Sequence, residues 1–304
     1  MVEFFCDGKL SDAKTFTKSF GGDAVNCAIA AARLGSRVGW ITKLGDDPFA
    51  DFLETSWRRE RLEISQVRLK KGFNGVYFIA LDKRGERQFT YFRQGSAAST
   101  LQPCDISEKY LNQSKMVYAT GISQAISPTG RATVRKAFQL AKRNDLLVAF
   151  DPNLRLKLWP IHAARWALGE VLPYVNIALP SAPSDTVPLL GLSNPEAVVR
   201  FFWNHGTSII AVKCGKRGVC VGAKGMIRWI TARKNVRVVD TTGAGDAFNG
   251  AFLHGLTHGL DSFAAARLGQ MTAELKLRGR GAIASLPTRA EVNKLFRQTS
   301  ATPL

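Results

Sequence analysis

The 304-residue chain predicts an α/β fold: a central, mostly parallel sheet with helices on both faces, plus a small β lid. Three observations predict it. Apolar, largely β-branched runs alternate with amphipathic helical segments along most of the chain. One pair of period-two runs, "NGVYFIALD" (74–82) and "RQFTYFRQG" (87–95), breaks that alternation around the tight polar turn "KRGE" (83–86), as a lid hairpin would. Polar clusters follow four of the apolar runs: "DPNLR" at 151–155, "LPS" at 179–181, "KCGKRG" at 213–218 and "DTTGAGD" at 240–246. Ligands of such sheets bind beyond the carboxyl ends of the strands, so these clusters should converge on one crevice.

Each element has its own justification. "GGDAVNCAIAAARLGS" (21–36) carries small and apolar residues at helical spacing and stops at Gly35. "RVGWITKLG" (37–45) reads as a buried strand. "DDPFADFLETSWRRE" (46–60) opens a helix with Asp47 as cap, Pro48 in the first turn, and Phe49, Phe52, Leu53 and Trp57 on one face. Beyond the hairpin, "KMVYATG" (115–121) and "LLVAFDPN" (146–153) are strands around the basic helix "TGRATVRKAFQLAKRND" (129–145). "VNIALPS" (175–181), "SIIAVKCG" (208–215) and "VRVVDTT" (236–242) are further strands, and "NPEAVVRFFWNHG" (194–206) is a capped helix. There is no internal repeat, and the tail "RQTSATPL" is expected to fray.

Composition narrows the class. With 45% hydrophobic and 10% aromatic residues the chain can bury a large core, so one domain over 1–304 is expected, its lid strands coming mainly from about 64–95. No run of about eighteen apolar residues occurs, and "MVEFFCDGKLSDAK" lacks the layout of a secretion signal; a cytoplasmic protein without membrane partners is expected. The five scattered cysteines lack metal-ligand spacing and read as buried, reduced thiols. The net charge of +18 favours anionic partners, but the basic residues form no block and no nucleic-acid motif. A small anion, rather than nucleic acid, is the expected partner.

The glycine turn carries the chemistry. In "DTTGAGDAFNGAF" (240–252), Phe248, Phe252 and Leu256 recur at helical spacing, so a helix starts near Gly245. Its first turn presents unpaired N–H groups and the positive dipole end, and Gly243 and Gly245 let an anion approach that backbone. The turn has no lysine of its own and matches neither a Walker nor a dinucleotide fingerprint. Gly250, inside the helix, reads as a close-packing position. Taken by itself, Asp246 reads equally as a helix cap or as a base that takes a proton from an attacking hydroxyl.

"DTTGAGDAFNGAFLHGL" resembles the C-terminal signature of the PfkB, or ribokinase-like, carbohydrate kinases, and residues 21–53 resemble the N-terminal signature of that family. The resemblance implies a ribokinase-like fold using ATP and Mg²⁺. It implies Asp246 as catalytic base and Gly243, Ala244 and Gly245 as an anion hole for the transferring phosphoryl group. Gly21, Gly22 and Asn26 match sugar-contacting positions. Lys213, Gly215 and Gly218 fall in a loop near the nucleotide, and Asn249 would support its phosphate end. Asp240 and Thr242 lie where relatives organise a monovalent cation, so K⁺ is a candidate.

The middle of the chain looks most like the 2-keto-3-deoxygluconate kinases, in "GVYFIALD", "FTYFRQGSAAS" and "FDPNLRLKLW". That implies Tyr77, Tyr91, Arg93 and Arg155 as acceptor ligands, with arginine forks matched to a sugar-acid carboxylate. The implied reaction phosphorylates 2-dehydro-3-deoxy-D-gluconate at its terminal hydroxyl, in a homodimer paired through the lid. Two departures from the family pattern stand out. Relatives usually carry a strand with a Gly-Glu-like element ahead of "MVEFFCDG", so either the start site is misassigned or a sheet strand and a wall of the acceptor site are shortened. An N-x-x-E pattern that recruits Mg²⁺ is replaced by Ser181 and Ser184, which leaves Asp185 as a metal-supporting substitute. Other readings stay open: a same-fold kinase for fructose, ribose or 5-dehydro-2-deoxygluconate, or a weakly active or inactive kinase-like binding protein.

Overall fold

Residues 1–81 and 87–299 are described by the structure, a computed structural model; the turn at 83–86 and the tail from 300 lie outside them. Strands β1 (Val2–Cys6) and β2 (Thr17–Phe20) pair antiparallel and lead into helix α1 (Asp23–Leu34). α1 closes at Gly35, where a φ of 112° suits a residue without a Cβ.

The stretch 37–45, expected as one strand, is two: β3 (Val38–Gly39) and β4 (Thr42–Gly45). After α2 (Ala50–Arg59) come β5 (Leu62–Glu63), which pairs with β3, and β6 (Val67–Lys70), which pairs with β4. Trp40, between the two ladders, packs edge-on against Trp57 of α2. Asp47 does not cap α2 itself. Its carboxylate accepts from Phe49 N at 3.0 Å and Asn74 N at 2.6 Å, capping the preceding turn and tying it to the lid.

β7 (Val76–Leu81) and β8 (Arg87–Phe92) form the expected hairpin. β7 also pairs with β1 in parallel, giving a four-stranded lid in the order β2-β1-β7-β8, so residues 2–20 supply half of its strands. Alternation then sorts the side chains. Glu3, Tyr77 and Tyr91 share one row of the inner face, while Phe4 and Phe78 stack on the outer face at 5.4 Å.

The second half follows α3 (Glu108–Leu111): β9 (Met116–Thr120), α4 (Gly121–Ala125), α5 (Pro128–Arg143), β10 (Leu147–Asp151), α6 (Ile161–Val171) and β11 (Ile177–Ala178). Then come α7 (Thr186–Leu190), α8 (Pro195–Asn204), β12 (Ile209–Lys213), β13 (Val219–Ala223) and β14 (Met226–Ile230). These six strands make one sheet in the order β14-β13-β12-β11-β10-β9, parallel from β9 to β12. The antiparallel β13–β14 hairpin was not expected, although "VCVGAKGMIRWI" has its signal: Lys224 and Gly225, with φ of 51° and 74°, form the tight turn.

Helices cover both faces of the sheet. Phe138, Phe150 and Phe202 fill one layer; Phe248 and Phe252, from α9 (Ala244–Thr257), fill the other beside α10 (Ser262–Lys276). All five are at most 2% exposed, each contributing about 1.5–3 kcal/mol of burial. α11 (Arg289–Thr299) ends the described chain. Among the described residues β9 pairs only with β10, and β3–β5 and β4–β6 stand as separate ladders.

Two expectations fail. Residues 236–242 form no strand; Val239 N and Asp240 N both donate to Leu277 O, so this segment docks on the end of α10 instead of a sheet edge. Four cysteines are buried, but Cys104 is exposed. No helix among the described residues is long and apolar enough to cross a membrane.

Candidate active site

The loops after β10, β11 and β12 and the start of α9 meet at one end of the sheet. Gly243 precedes α9 with a φ of 75°, and a Cβ there would lie 3.0 Å from Ala282 Cβ. Both its conformation and its neighbour call for glycine. Two residues on, Gly245 is open: among the described residues outside its own turn, a Cβ built there would come within 4 Å only of Lys213 Nζ, at 3.8 Å. The turn without a lysine of its own thus has one beside it, delivered by β12. First-turn N–H groups and an ammonium face the same space, an arrangement suited to a phosphoryl group. Gly250 is the close-packing position expected, since a Cβ there would fall 2.4 Å from Cys27 O in α1.

Lys213 is anchored by a buried network. Its Nζ donates to Asp151 Oδ2 at 2.6 Å and Asn249 Oδ1 at 3.1 Å. Asn249 Nδ2 in turn donates to Asp151 Oδ2 at 2.6 Å and Tyr118 OH at 3.2 Å. Asn249 is therefore a support for the cation of the cradle. Gly215 and Gly218 shape the loop that follows Lys213; Gly218, with φ of 95°, lets the backbone pass the β14 end, where a Cβ would meet Ile230 O at 2.0 Å.

Asp246 lies in the first turn of α9 and accepts from Asn26 Nδ2 at 2.8 Å. Its carboxyl is pushed up to about 7, chiefly by burial and then by the nearby Asp23 and Asp151 carboxylates, against the opposing pull of Asn26 and Lys213. A carboxylate poised near neutrality is suited to proton transfer at physiological pH. Asn26 also accepts from Gly22 N at 3.3 Å, so it couples the turn at Gly21 and Gly22 to the base.

Asp185 sits away from this role. It is 1% exposed, and its two oxygens accept from Leu154 N at 3.0 Å and Ser181 N at 2.8 Å, stapling the loop after β10 to the loop after β11. Burial, then Asp151, raises its carboxyl to about 6. Among the described residues no group of three or more His, Cys, Asp or Glu side chains could hold a metal ion. Asp240 accepts from Thr242 N at 2.6 Å and Gly281 N at 2.7 Å, fixing the loop that leads into the cradle.

The lid closes the other side. Tyr77 is buried, donates to Glu3 Oε2 at 2.5 Å, and touches Gly21, where a Cβ would lie 2.5 Å from the phenol oxygen. Tyr91 stacks on Tyr77 at 5.7 Å. Burial raises the Tyr91 phenol, against the opposing pull of the nearby Arg155 and Arg93 charges. Arg155 is exposed and donates to Leu154 O at 2.8 Å. Arg93 is half-buried, and among the described residues no hydrogen bond or ion pair engages its guanidinium.

The two halves of the site are thus brought together through Asn26. Sequence reasoning passed over Asp23, Asp151 and Tyr118 as individual residues, although Asp23 and Asp151 lie inside the "GGDAVN" and "DPNLR" stretches. Asp23 accepts from Thr120 Oγ1 and adds a negative charge between Arg93 and Asp246.

Known proteins resemble this chain over almost its whole length. The model of the pfkB family carbohydrate kinases matches residues 1–289. The chain is 34% identical over 294 residues to a 2-dehydro-3-deoxygluconokinase of Thermoproteus tenax, covering 95% of this chain and 89% of that protein. It is 29% identical over 306 residues to a 5-dehydro-2-deoxygluconokinase of Bacillus cereus, covering 96% and 89%. A solved PfkB protein from Polaromonas sp. JS666 superposes with a TM-score of 0.88 at 31% identity, over 96% of each chain.

Proposed function

The chain belongs to the pfkB family of carbohydrate kinases, a phosphotransferase acting on a sugar hydroxyl, and from that premise we propose that its acceptor is a sugar acid. The reaction proposed is transfer of the terminal phosphoryl group of ATP to the terminal hydroxyl of 2-dehydro-3-deoxy-D-gluconate, giving the 6-phosphate and ADP. The observation that carries it is Arg93. Its half-buried guanidinium, near the Asp23 charge and the Tyr91 phenol but in no hydrogen bond or ion pair among the described residues, suits a ligand carboxylate, which a neutral sugar lacks.

In this reading the stacked Tyr77 and Tyr91 cover the carbon face of the sugar and exclude water. Asp246, oriented by Asn26, accepts the proton of the attacking hydroxyl. The first turn of α9 and Lys213 hold the charge that spreads over the transferring group. Use of ATP with Mg²⁺ is supported by an E. coli chain described as a candidate ribokinase II, solved with both, which superposes with a TM-score of 0.88 at 25% identity. Mg²⁺ would neutralise phosphate charge; Asp151, buried against Lys213, is the carboxylate of this chain placed to support it.

The test is a coupled ADP-release assay over sugar acids and neutral sugars. Turnover is expected with the 2-keto-3-deoxy acid and not with fructose or ribose; preference for a neutral sugar would sink the proposal. The second reading, 5-dehydro-2-deoxygluconate, is supported by the B. cereus relative and shares the carboxylate, so the same panel separates the two. Self-association through the lid belongs to the proposal, because Phe16 and Phe92 remain exposed on its outer face, at 39% and 57%. Sedimentation is expected to give a dimer that Phe92→Glu breaks; a parent protein that stays monomeric at all concentrations would remove this part.

A further inference from the structure

The loop that presents the cradle is held from behind by a charge that the reaction does not use. Lys276, at the end of α10, has no exposed surface. Its Nζ donates to Asp240 O at 2.8 Å and lies 3.7 Å from Asp240 Oδ1. The Asp240 carboxylate simultaneously ties in Thr242 N, three residues before Gly245, and Gly281 N, from the loop that packs against Gly243. Leu277 O, the next residue along, accepts from both Val239 N and Asp240 N. Three chain segments, 239–242, 276–277 and the loop at Gly281, therefore converge on one ammonium and one carboxylate.

Asp240 is also where the family resemblance places a monovalent cation. The oxygens that would bind such an ion are a backbone carbonyl and a carboxylate, and here both face a buried ammonium. An ammonium carries the same unit charge as K⁺ and directs three donors to surrounding oxygens. A second cation in the same enclosed space would meet like-charge repulsion with little water to screen it. The residues present do not fit a resident K⁺ in addition to Lys276.

We infer that Lys276 Nζ is the built-in cation of the Asp240 loop, covalently supplied, so that this kinase holds its anion-binding turn in place without K⁺. The lysine does not contact the reacting groups; it is a positioning residue that acts through Asp240 and the 240–245 loop. Its consequence is a turn whose order does not depend on the ionic composition of the medium.

The test has two readouts. The thermal midpoint of the purified protein, without nucleotide or sugar, is measured in K⁺, Na⁺ and a large organic cation at equal ionic strength. ADP release is measured in the same media with whichever sugar is turned over. For the parent chain, no K⁺-specific rise in midpoint is expected, and rates should agree within about twofold, as for a site that binds no ion. Lys276→Ala, which leaves space for an ion, is expected to lose more than about tenfold in rate without K⁺, because a buried charge has lost its partner. K⁺ or ammonium should restore part of that rate and raise the variant's midpoint. K⁺-specific activation or stabilisation of the parent overturns the inference, and this arm stands even where the variant fails to fold. A folded Lys276→Ala protein whose rate and midpoint ignore K⁺ overturns it equally. The midpoint needs no acceptor, so failure of the sugar-acid proposal leaves this test intact.

Discussion

Asp246→Asn is expected to lower kcat by about three orders of magnitude while leaving ATP affinity nearly unchanged, within the 10²–10⁴-fold range of general base catalysis. The amide keeps the size of the side chain and can still contact Asn26, but it cannot take a proton. In the parent protein the same group is expected to set the acid limb of the pH profile. Burial and the Asp23 and Asp151 charges raise its carboxyl to about 7, and the base acts only when ionised. Activity should therefore be full above that value and fall tenfold per unit as pH drops below it, a limb that vanishes in the Asn variant. Residual turnover near the parent rate would remove Asp246 as the base. A parent limb centred near the ordinary carboxylate range would show that the neighbouring charges are neutralised when substrate binds.

Arg93→Ala should raise KM for the sugar acid by about tenfold to a hundredfold, the cost of one charge-assisted contact to a carboxylate, with KM for ATP unchanged. Arg93 follows the lid strand β8 by one residue, whereas Lys213 ends β12 beside Gly245 of the cradle. Arg93→Lys is expected to recover only part of the loss, because a point charge lacks the guanidinium fork. Equal weakening of sugar and ATP binding would mean that Arg93 holds the lid together and does not read a carboxylate. A loss confined to the KM of the sugar acid, with kcat and the ATP parameters of the parent, would be the strongest support.

Much of this site is legible in the order of its amino acids. The helix at 23–34, the hairpin at 76–92 and the α9 start at Ala244 follow from periodicity and glycine placement, because each depends on neighbours within a few residues. Elsewhere, tertiary contact overrode local pattern. Residues 236–239 have strand-like composition, yet the Leu277 carbonyl at the end of α10 takes the amides of Val239 and Asp240. Stretch 37–45 is apolar over much of its length, yet two different neighbours divide it.

The sequence by itself determined the pieces: an alternating α/β chain, a glycine turn able to hold an anion, a base candidate next to it and a hairpin bearing Tyr91 and Arg93. These are local properties of backbone conformation and side-chain chemistry. Only the tertiary structure decided which charges meet. Lys213 reaches Gly245 because β12 ends beside α9, Asp151 and Asn249 hold it from positions 98 residues apart, and Asn26 reaches Asp246 across 220 residues. It also turned Asp185 from a metal-supporting substitute into a staple between loops, and set Lys276 against Asp240. Electrostatic partnership depends on distance and burial, which sheet order and helix packing set over the whole chain.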